Sequence, residues 1–420
     1  MRLGNGRILT CGLALAIGVG TLSLGATTSV AGADTTTATP GVTANTITVG
    51  SISDISSPIP GLFEGAKVGA QAYFNYINSQ GGVDGRKIVL DARDSAFSSG
   101  TVASEADSIA KNDFAFVGGY SLLDNAEQPA IDANKVPMVA QVLSPSMFPD
   151  PNVYSAIPEV TGGAPNGPFK WFKSQYPAAI KAVGYIGANA AASAIASEQV
   201  YRNLTYNLGY KWVYSRDAGY TETSFLSDII KMKSSGVKMV LEISQGPTEI
   251  STIAQEMKQQ GLNVPLLTGA GTYSKAFNPG SSGNGTLLYT VTALYMGEDA
   301  KVIPAVGTFD TWVKKTVPNP SLDLFTLDGW INAQLFVQAL KAAGPTPTRA
   351  GLVAQLNKVN SFNASGLISV QDPAQKIPGQ CWIVAKYTNG KWLRMSPDPK
   401  AAFVCNPGGF YPSSYKGIPR

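Results

Sequence analysis

The chain has 420 residues, of which 44% are hydrophobic, so it can bury a sizeable core and is long enough for two lobes of ordinary domain size. Charged residues make up 14%, and 32 Lys and Arg against 28 Asp and Glu leave a formal net charge of +4. This balance, spread without long runs of one sign, argues against nucleic acid or another polyanion as a partner.

The first residues have the pattern of an export signal. Arg2 and Arg7 precede an uncharged apolar stretch from Ile8 to Ala26, and Ala31-Gly32-Ala33 then forms a small-x-small cleavage pattern. We predict a signal peptide over residues 1–33. A retained membrane anchor is the alternative, because the stretch is about long enough to cross a bilayer. No lipid-attachment box is evident, since most of the apolar stretch follows Cys11.

The mature chain is therefore expected outside the cytoplasm, in the periplasm or at the cell surface. Residues 34–46 are rich in Thr, Ala and Gly without an apolar period, which predicts a flexible tether. Two cysteines remain after the leader, Cys381 and Cys405, and an oxidising compartment favours a disulfide between them. Such a bridge would close a loop of about 25 residues and contribute about 3 kcal/mol. Two buried free thiols are the alternative.

Short β-branched runs alternate with amphipathic stretches from Ile47 onward. The predicted strands are Ile47–Ile52, Lys87–Asp91, Phe114–Val117, Pro137–Gln141, Ala182–Ile186, Lys211–Tyr214 and Lys238–Ile243. The predicted helices are Gly65–Asn78, Thr101–Lys111, Glu127–Ala133, Ser197–Leu208, Ser224–Ser234 and Glu249–Gln260. This alternation predicts parallel sheets covered by helices on both faces, which bind ligands at the carboxyl ends of their strands.

The residues needed for common catalytic sites are missing. The sequence contains no histidine, which excludes a Ser-His-Asp triad, a Cys-His nucleophile, a His metal cluster and a His general base. It also lacks a G-x-S-x-G elbow, a phosphate-binding P-loop and a G-x-G-x-x-G turn after a strand. We predict that the chain is not an enzyme and carries no cofactor or metal. Carboxylate-pair chemistry is not excluded by residue type.

The opening of the mature chain resembles a known family. Ile47 to Ile52, then a helix, then Asn78-Ser79-Gln80-Gly81-Gly82-Val83-Asp84-Gly85-Arg86-Lys87-Ile88 is similar to the start of the type I periplasmic binding proteins of the leucine/isoleucine/valine class. Gly81-Gly82 favours a helix end and Asp84-Gly85 a tight turn before the next strand. Further matches are Val117-Gly118-Gly119, Gln128-Pro129-Ala130, Val136-Pro137-Met138-Val139, Ser234 with Gly236-Val237, and Gln260-Gly261-Leu262, so the resemblance covers residues 45–395.

The resemblance implies an α/β fold with two Rossmann-like lobes, each a parallel sheet flanked by helices, joined by three hinge crossovers. The expected crossovers lie near Tyr154–Pro158, Tyr289–Leu294 and Phe362–Ile368. The first lobe would contain residues 47–156 and 292–362. The second would contain residues 157–291 and 363–420, including a C-terminal tail.

The resemblance also implies a function. Its members are the extracytoplasmic substrate-binding proteins of ABC importers, which capture a small solute by hinge closure and deliver it to a membrane permease. We expect this chain to act in the same way, as a monomer. An extracellular ligand-sensing module and a secreted carboxylate-dependent hydrolase remain as alternatives. A sensor would usually continue into a membrane span, whereas residues 406–420 are Pro- and Gly-containing coil.

Ligand contacts in the first lobe follow from the family pattern. That class holds the ligand's carboxylate with small hydroxylated residues and backbone N–H groups in two loops, which here are Ser121-Leu122-Leu123-Asp124 and Val142-Leu143-Ser144. Asp124 is interpreted as an N-cap of the following helix. Ordinary loop bonding is the alternative for the serines, as core packing is for an aromatic lid at Phe63. The residues predicted to bind ligand in this lobe are Ser56, Phe63, Ser121, Leu122, Leu143 and Ser144.

The second lobe departs from the amino-acid binders. The loop where they place an acidic partner for the ammonium group reads Gly269-Ala270-Gly271-Thr272-Tyr273 and has no carboxylate. The loop of their aromatic clamp, Gly187 to Ala192, is nearly all alanine. A buried unpaired ammonium would be unfavourable, so we predict a bulkier, more apolar acid or amide as the ligand. The predicted contacts, each with a structural role as alternative, are Asn189, Ser244, Gln245, Thr272 and Tyr273.

Overall fold

The computed structural model describes residues 39–57, 62–158, 166–189, 200–201, 203–219, 221–243, 245–397 and 403–405. The predicted signal peptide lies outside these residues, as does the start of the predicted tether. Residues 39–45 fold back onto the first strand, because Val42 pairs with Ile47 and the Thr48 N–H donates to the Gly41 carbonyl at 2.8 Å. The described part of the expected tether is therefore packed on the folded body.

The strands form two sheets. They are β1 (Thr46–Ser53), β2 (Lys87–Asp94), β3 (Phe116–Val117), β4 (Met138–Val139), β5 (Val153–Tyr154), β6 (Val183–Ala188), β7 (Trp212–Ala218), β8 (Met239–Ile243), β9 (Leu266–Thr268), β10 (Leu287–Thr290), β11 (Cys381–Thr388), β12 (Lys391–Ser396) and β13 (Val404–Cys405). The first sheet is parallel throughout, in the order β2-β1-β3-β4-β5. The second runs β12-β11-β10-β9-β8-β6-β7, with β13 beside β11. Its β7 to β10 part is parallel, whereas β11 and β12 are antiparallel.

Helices cover both sheets. They are α1 (Glu64–Ser79), α2 (Ser99–Asn112), α3 (Gln128–Asn134), α4 (Gly167–Gln175), α5 (Leu226–Ser234), α6 (Pro247–Gln259), α7 (Pro304–Thr316), α8 (Leu324–Ala343) and α9 (Arg349–Leu356). Side-chain caps fix the first residues of several helices. The Ser98 hydroxyl accepts the Thr101 N–H at 3.3 Å before α2, and the Asp323 carboxylate accepts the Thr326 N–H at 2.8 Å before α8.

The turn between α1 and β2 confirms a prediction from the sequence. Gly81 and Gly82 have φ values of 100° and 80°, which glycine adopts without steric penalty and which end α1. Asp84 and Gly85 follow with φ values of 49° and 76°, the pattern of a tight hairpin turn. The Val83 and Arg86 backbones exchange hydrogen bonds of 2.9 Å across it, so the chain enters β2 as predicted.

The chain passes between the sheets three times. After β5 of the first sheet it enters the second through β6; after β10 it returns, and α7, α8 and α9 follow, with α7 and α8 packed on α1. It then re-enters the second sheet at β11. Two of the crossing segments pair with each other, since Thr292 bridges Ile368 and the Ala293 N–H donates to the Leu367 carbonyl at 2.8 Å. The predicted two-lobed α/β architecture with three crossovers is confirmed.

Several predicted elements differ in extent. The strands predicted over 114–117 and 137–141 shorten to β3 and β4, and the helix predicted over 197–208 is, in its last six residues, a π-helix at Asn203–Leu208. Helices α4, α7, α8 and α9 were not predicted. Helix α8 is buried on nearly every face, so it lacks the amphipathic period that identifies a surface helix.

Candidate functional site

Asp54 lies directly after β1, at the carboxyl edge of the first sheet, and its side chain is fully buried. The Ser121 hydroxyl donates to its Oδ1 at 2.7 Å, and the Leu122 N–H donates to its Oδ2 at 2.8 Å. The Ser95 hydroxyl also donates to Oδ1. The β1 loop is thereby tied to the loop after β3, and two of the predicted ligand donors bind a protein carboxylate.

Asp124 makes the corresponding contact to the loop after β4. Its Oδ2 accepts the Leu143 N–H at 2.6 Å and the Ser144 N–H at 3.2 Å, and the Ser144 hydroxyl donates to its Oδ1. The N-cap position before the 3₁₀ turn at Asp124–Glu127 is Leu123, so the predicted capping role of Asp124 is wrong. Burial raises the pKa of Asp124, and the donors of Ser144 and Leu143 partly oppose that rise.

A third acid, Glu127, lies beside these two. It is 4% exposed, and burial raises its pKa well above the ordinary value, with the Asp124 and Asp54 charges adding to the rise. It lines a small cavity, of about 10 Å³, with Ser51, Ser121 and Asp124. That volume is close to what one water molecule needs. The buried Ser51 hydroxyl has no hydrogen-bond partner among the described residues, which makes it a suitable contact for such a water.

Apolar side chains pack together beside the carboxylates. The Phe63 ring centroid lies 4.3 Å from that of Tyr120 and 4.7 Å from that of Phe325, and Tyr120 and Phe325 are 5.1 Å apart. Leu122 and Leu143 pack against this group and remain partly exposed. We call Phe63, Tyr120, Phe325, Leu122 and Leu143 the aromatic lip. Phe63 is 5% exposed, so most of its surface packs within the first lobe.

Gln245 joins the ends of three strands of the second sheet. Its Nε2 donates to the Gly187 carbonyl at 3.0 Å and to the Ala218 carbonyl at 3.1 Å, and its backbone N–H donates to Glu242. The residue is 4% exposed, yet its Oε1 has no hydrogen-bond partner in the part of the chain that the structure describes. The Thr272 hydroxyl, 1% exposed in the loop after β9, likewise has no hydrogen-bond partner within the described ranges. Because β8 and β9 are neighbours, both residues belong to the same sheet edge.

Tyr273, a predicted ligand contact, is buried among protein partners. It is 1% exposed, its hydroxyl donates to Glu298 and accepts the Met296 N–H at 2.9 Å, and its carbonyl accepts the Tyr295 hydroxyl at 2.9 Å. The Tyr273 and Tyr295 ring centroids are 4.7 Å apart, and Tyr295 continues to Phe309 of α7 at 6.0 Å. Tyr273 therefore packs in the core where the second crossing segment leaves the second lobe.

The remaining predicted residues are less informative. Ser56 is exposed and donates its backbone N–H to the Asp94 carboxylate at 3.0 Å. Asn189 is exposed and donates its backbone N–H to the Ala218 carbonyl at 2.9 Å. Ser244 lies outside the described residues.

Glu242 was missed in the sequence. It is 1% exposed in β8, and burial raises its pKa well above the ordinary value, opposed by the Gln245 N–H and reinforced by Glu249. The signal was present, because Glu242 interrupts the apolar run Met239-Val240-Leu241 before Ile243.

Within the described ranges, no group of three or more His, Cys, Asp or Glu residues is arranged to hold a metal ion. The same part of the chain has no helix long and apolar enough to cross a membrane. The predicted disulfide is confirmed: Cys381 and Cys405 are bonded as cross-strand partners of β11 and β13.

Comparisons with known proteins agree with the two-lobed α/β fold. A fatty acid ABC transporter substrate-binding protein from Thermomonospora curvata is 19% identical, with a TM-score of 0.71 over 85% of this chain and 93% of that one. A leucine-binding protein from Thermotoga maritima is 18% identical, with a TM-score of 0.66 over 83% of this chain and 98% of that one. These identities show a shared fold. No curated protein sequence matches the chain. The family model described as periplasmic binding protein matches residues 46–391, and the chain therefore belongs to the type I periplasmic binding proteins.

Proposed function

We propose that this chain is the extracytoplasmic substrate-binding protein of an ABC importer and captures a small organic solute with a large apolar surface. The observation that carries the proposal is the aromatic lip, in which Phe63, Tyr120 and Phe325 pack at 4.3 to 5.1 Å at the carboxyl edge of the first sheet. In open parallel sheets this edge is where ligands bind. An apolar surface there favours apolar solutes.

The second lobe supplies polar contacts in this proposal. Burying a polar atom without a partner is unfavourable, so Gln245 Oε1 and Thr272 Oγ1 are candidates for ligand contact. Gln245 Oε1 accepts a hydrogen bond, and a Thr hydroxyl can donate or accept. A solute that offers an N–H or O–H group to this edge and apolar surface to the aromatic lip would satisfy both.

Capture by hinge closure is supported by the three crossing segments. Closure would bring the two carboxyl edges together around the solute, and a membrane permease would recognise the closed form. The names of similar structures, a fatty acid ABC transporter substrate-binding protein and a leucine-binding protein, fit import of small organic molecules. We further propose that the chain acts as a monomer in the periplasm or at the cell surface.

The test is a thermal-shift and calorimetric screen of the chain from Asp34 onward against alicyclic and aromatic amides, the matching acids, and free amino acids. A solute that binds the folded state raises the melting temperature. Phe63→Ala should weaken binding of the best solute by about 30-fold, because it removes the ring on which Tyr120 and Phe325 of the aromatic lip pack. Ile230→Ala is the matched control, because Ile230 is 49% exposed in α5.

The same experiment can contradict the proposed site. If no solute class raises the melting temperature, or if Phe63→Ala and Ile230→Ala affect binding equally, the proposed site is wrong. A hydrolase would convert the bound solute, so recovery of chemically unchanged solute after incubation separates that alternative from a receptor. A sensor module is distinguished by the absence of permease-dependent uptake in reconstituted vesicles.

A further inference from the structure

Resting on the proposed function, we propose that Asp54 and Asp124 are specificity-determining residues that make this receptor select uncharged solutes over carboxylic acids. Their carboxylates occupy the donors that, from the family resemblance, would hold a ligand's carboxylate. The inference narrows the solute from an apolar acid or amide to a neutral molecule such as an amide.

The hydrogen-bond donors of these two loops are already occupied by protein carboxylates. A backbone N–H has a single hydrogen, so the Leu122 N–H is fully used by Asp54 and those of Leu143 and Ser144 by Asp124. The hydroxyls of Ser121 and Ser144 donate to the same two carboxylates. An incoming anion at these loops would have to displace a protein carboxylate that is already hydrogen-bonded.

The two carboxylates also disfavour a second negative charge beside them. Both carboxylates are buried, with 0% of Asp54 and 3% of Asp124 exposed. Their partners are backbone N–H groups and hydroxyls, and neither forms an ion pair with a Lys or Arg in the described part of the chain. Opposite charge does not neutralise these acids. A ligand carboxylate placed beside an ionised Asp54 or Asp124 would therefore be repelled in a region of low effective dielectric.

Two leucine side chains of the same loops belong to the aromatic lip. Leu122 and Leu143 direct their backbone N–H groups to the two carboxylates while their side chains join the aromatic lip. The loops thus present apolar surface, with their strongest donors turned inward. An uncharged apolar solute can contact that surface without leaving a buried charge unpaired.

The first experiment measures matched pairs on the wild-type chain: cyclohexanecarboxamide against cyclohexanecarboxylate, and benzamide against benzoate, by calorimetry near neutral pH. We expect each acid to bind at least about 100-fold more weakly than its amide. Equal or tighter binding of the acid would overturn the inference while leaving the receptor function intact. Weak binding of every solute would instead count against the proposed function.

A second experiment reads donor occupancy without any solute. Asp124→Ala removes the carboxylate and frees the Leu143 and Ser144 donors, so formate should raise the melting temperature of this variant by about 2 °C or more beyond its effect on wild type. Asp310→Ala is the control, because it removes a carboxylate on α7 that is paired with Lys314 at 2.7 Å and frees only an ammonium that is 53% exposed to water, not buried backbone and hydroxyl donors. A formate effect equal in all three proteins contradicts the occupancy.

Asp124→Asn guards against failure of the alanine variant to fold. It keeps the size and an acceptor oxygen but removes the charge. We expect the acid-to-amide discrimination to fall by about 10-fold in this variant, with amide binding changed by less than about threefold. An unchanged ratio of acid to amide affinity would show that Asp124 does not determine the preference for uncharged ligands.

Discussion

Arg394 of β12 and Asp299 of the segment between β10 and α7 form an ion pair in which each side chain is only 5% exposed. The Arg394 Nε donates to Asp299 Oδ1 at 2.8 Å. Asp299 also accepts the Leu294 N–H at 2.7 Å through Oδ2. The pair therefore fixes the conformation of the chain where it leaves the second lobe.

Arg394→Met is expected to destabilise the protein by about 3 to 5 kcal/mol, because it leaves the Asp299 carboxylate buried without its cation. Arg93→Met is the matched control. Arg93 pairs with Asp91 and Glu105, but these side chains are about 30% exposed, so the loss should be at most about 1 kcal/mol. The midpoints of urea unfolding measure both. Similar losses in the two variants would show that burial does not decide the strength of the 394–299 pair.

Two helix glycines give a second contrast. A Cβ at Gly329 of α8 would lie 1.9 Å from the Ala66 carbonyl oxygen of α1, so Gly329→Ala must push the helices apart. A Cβ at Gly307 of α7 would meet no atom within 4 Å. We expect Gly329→Ala to lower stability by about 2 kcal/mol or more and Gly307→Ala to raise it by about 0.5 to 1 kcal/mol. Thermal unfolding measures both, and a stabilising Gly329→Ala would contradict the close contact.

How far the sequence predicts the fold depends on how local the signal is. The β1, α1 and β2 unit was predictable because Gly81-Gly82 and Asp84-Gly85 require particular backbone angles whatever surrounds them. Helix α8 was not, because Leu327 to Ile331 are buried in succession and its pattern carries no helical period. Its place beside α1 depends on the close contact at Gly329, which pattern alone does not reveal.

The candidate site was predictable in position and not in detail. The loops containing Ser121 and Ser144 do lie at the carboxyl edge of the first sheet. What their donors contact could not be predicted, because Asp54 and Ser121 are 67 positions apart and meet only in the folded chain. The raised pKa of Glu242 is likewise caused by burial, and its sequence position shows only that an acid interrupts an apolar strand.

The disulfide between Cys381 and Cys405 gives a third prediction. The two positions are 24 residues apart, so the bond closes a loop whose restriction of the unfolded chain is worth about 3 kcal/mol. Replacing both residues by serine should lower the unfolding midpoint accordingly. The measurement compares the double variant with wild type under oxidising and reducing conditions. A reductant should lower the wild-type midpoint toward that of the variant, and a midpoint unaffected by either change would contradict the prediction.

We expect Glu127 to make the free energy of unfolding depend on pH. Burial raises its pKa in the folded state well above the ordinary value of 4.5, so above that pH the unfolded chain releases a proton that the folded chain keeps. Stability from this residue therefore falls as pH rises from about 4.5 toward the folded pKa, by up to about 1.4 kcal/mol for each pH unit. Glu127→Gln removes this penalty while keeping the size of the side chain.

Glu127→Gln should therefore stabilise the protein at about pH 7 relative to wild type, and the gain should shrink toward zero near about pH 4. Unfolding midpoints of both proteins across this range are the measurement. Glu64→Gln is the control, because the Glu64 side chain is 50% exposed at the start of α1. A gain that is the same at every pH would mean that the substitution acts through packing. A loss at neutral pH would mean that the Glu127 carboxylate is ionised and paired in the folded protein.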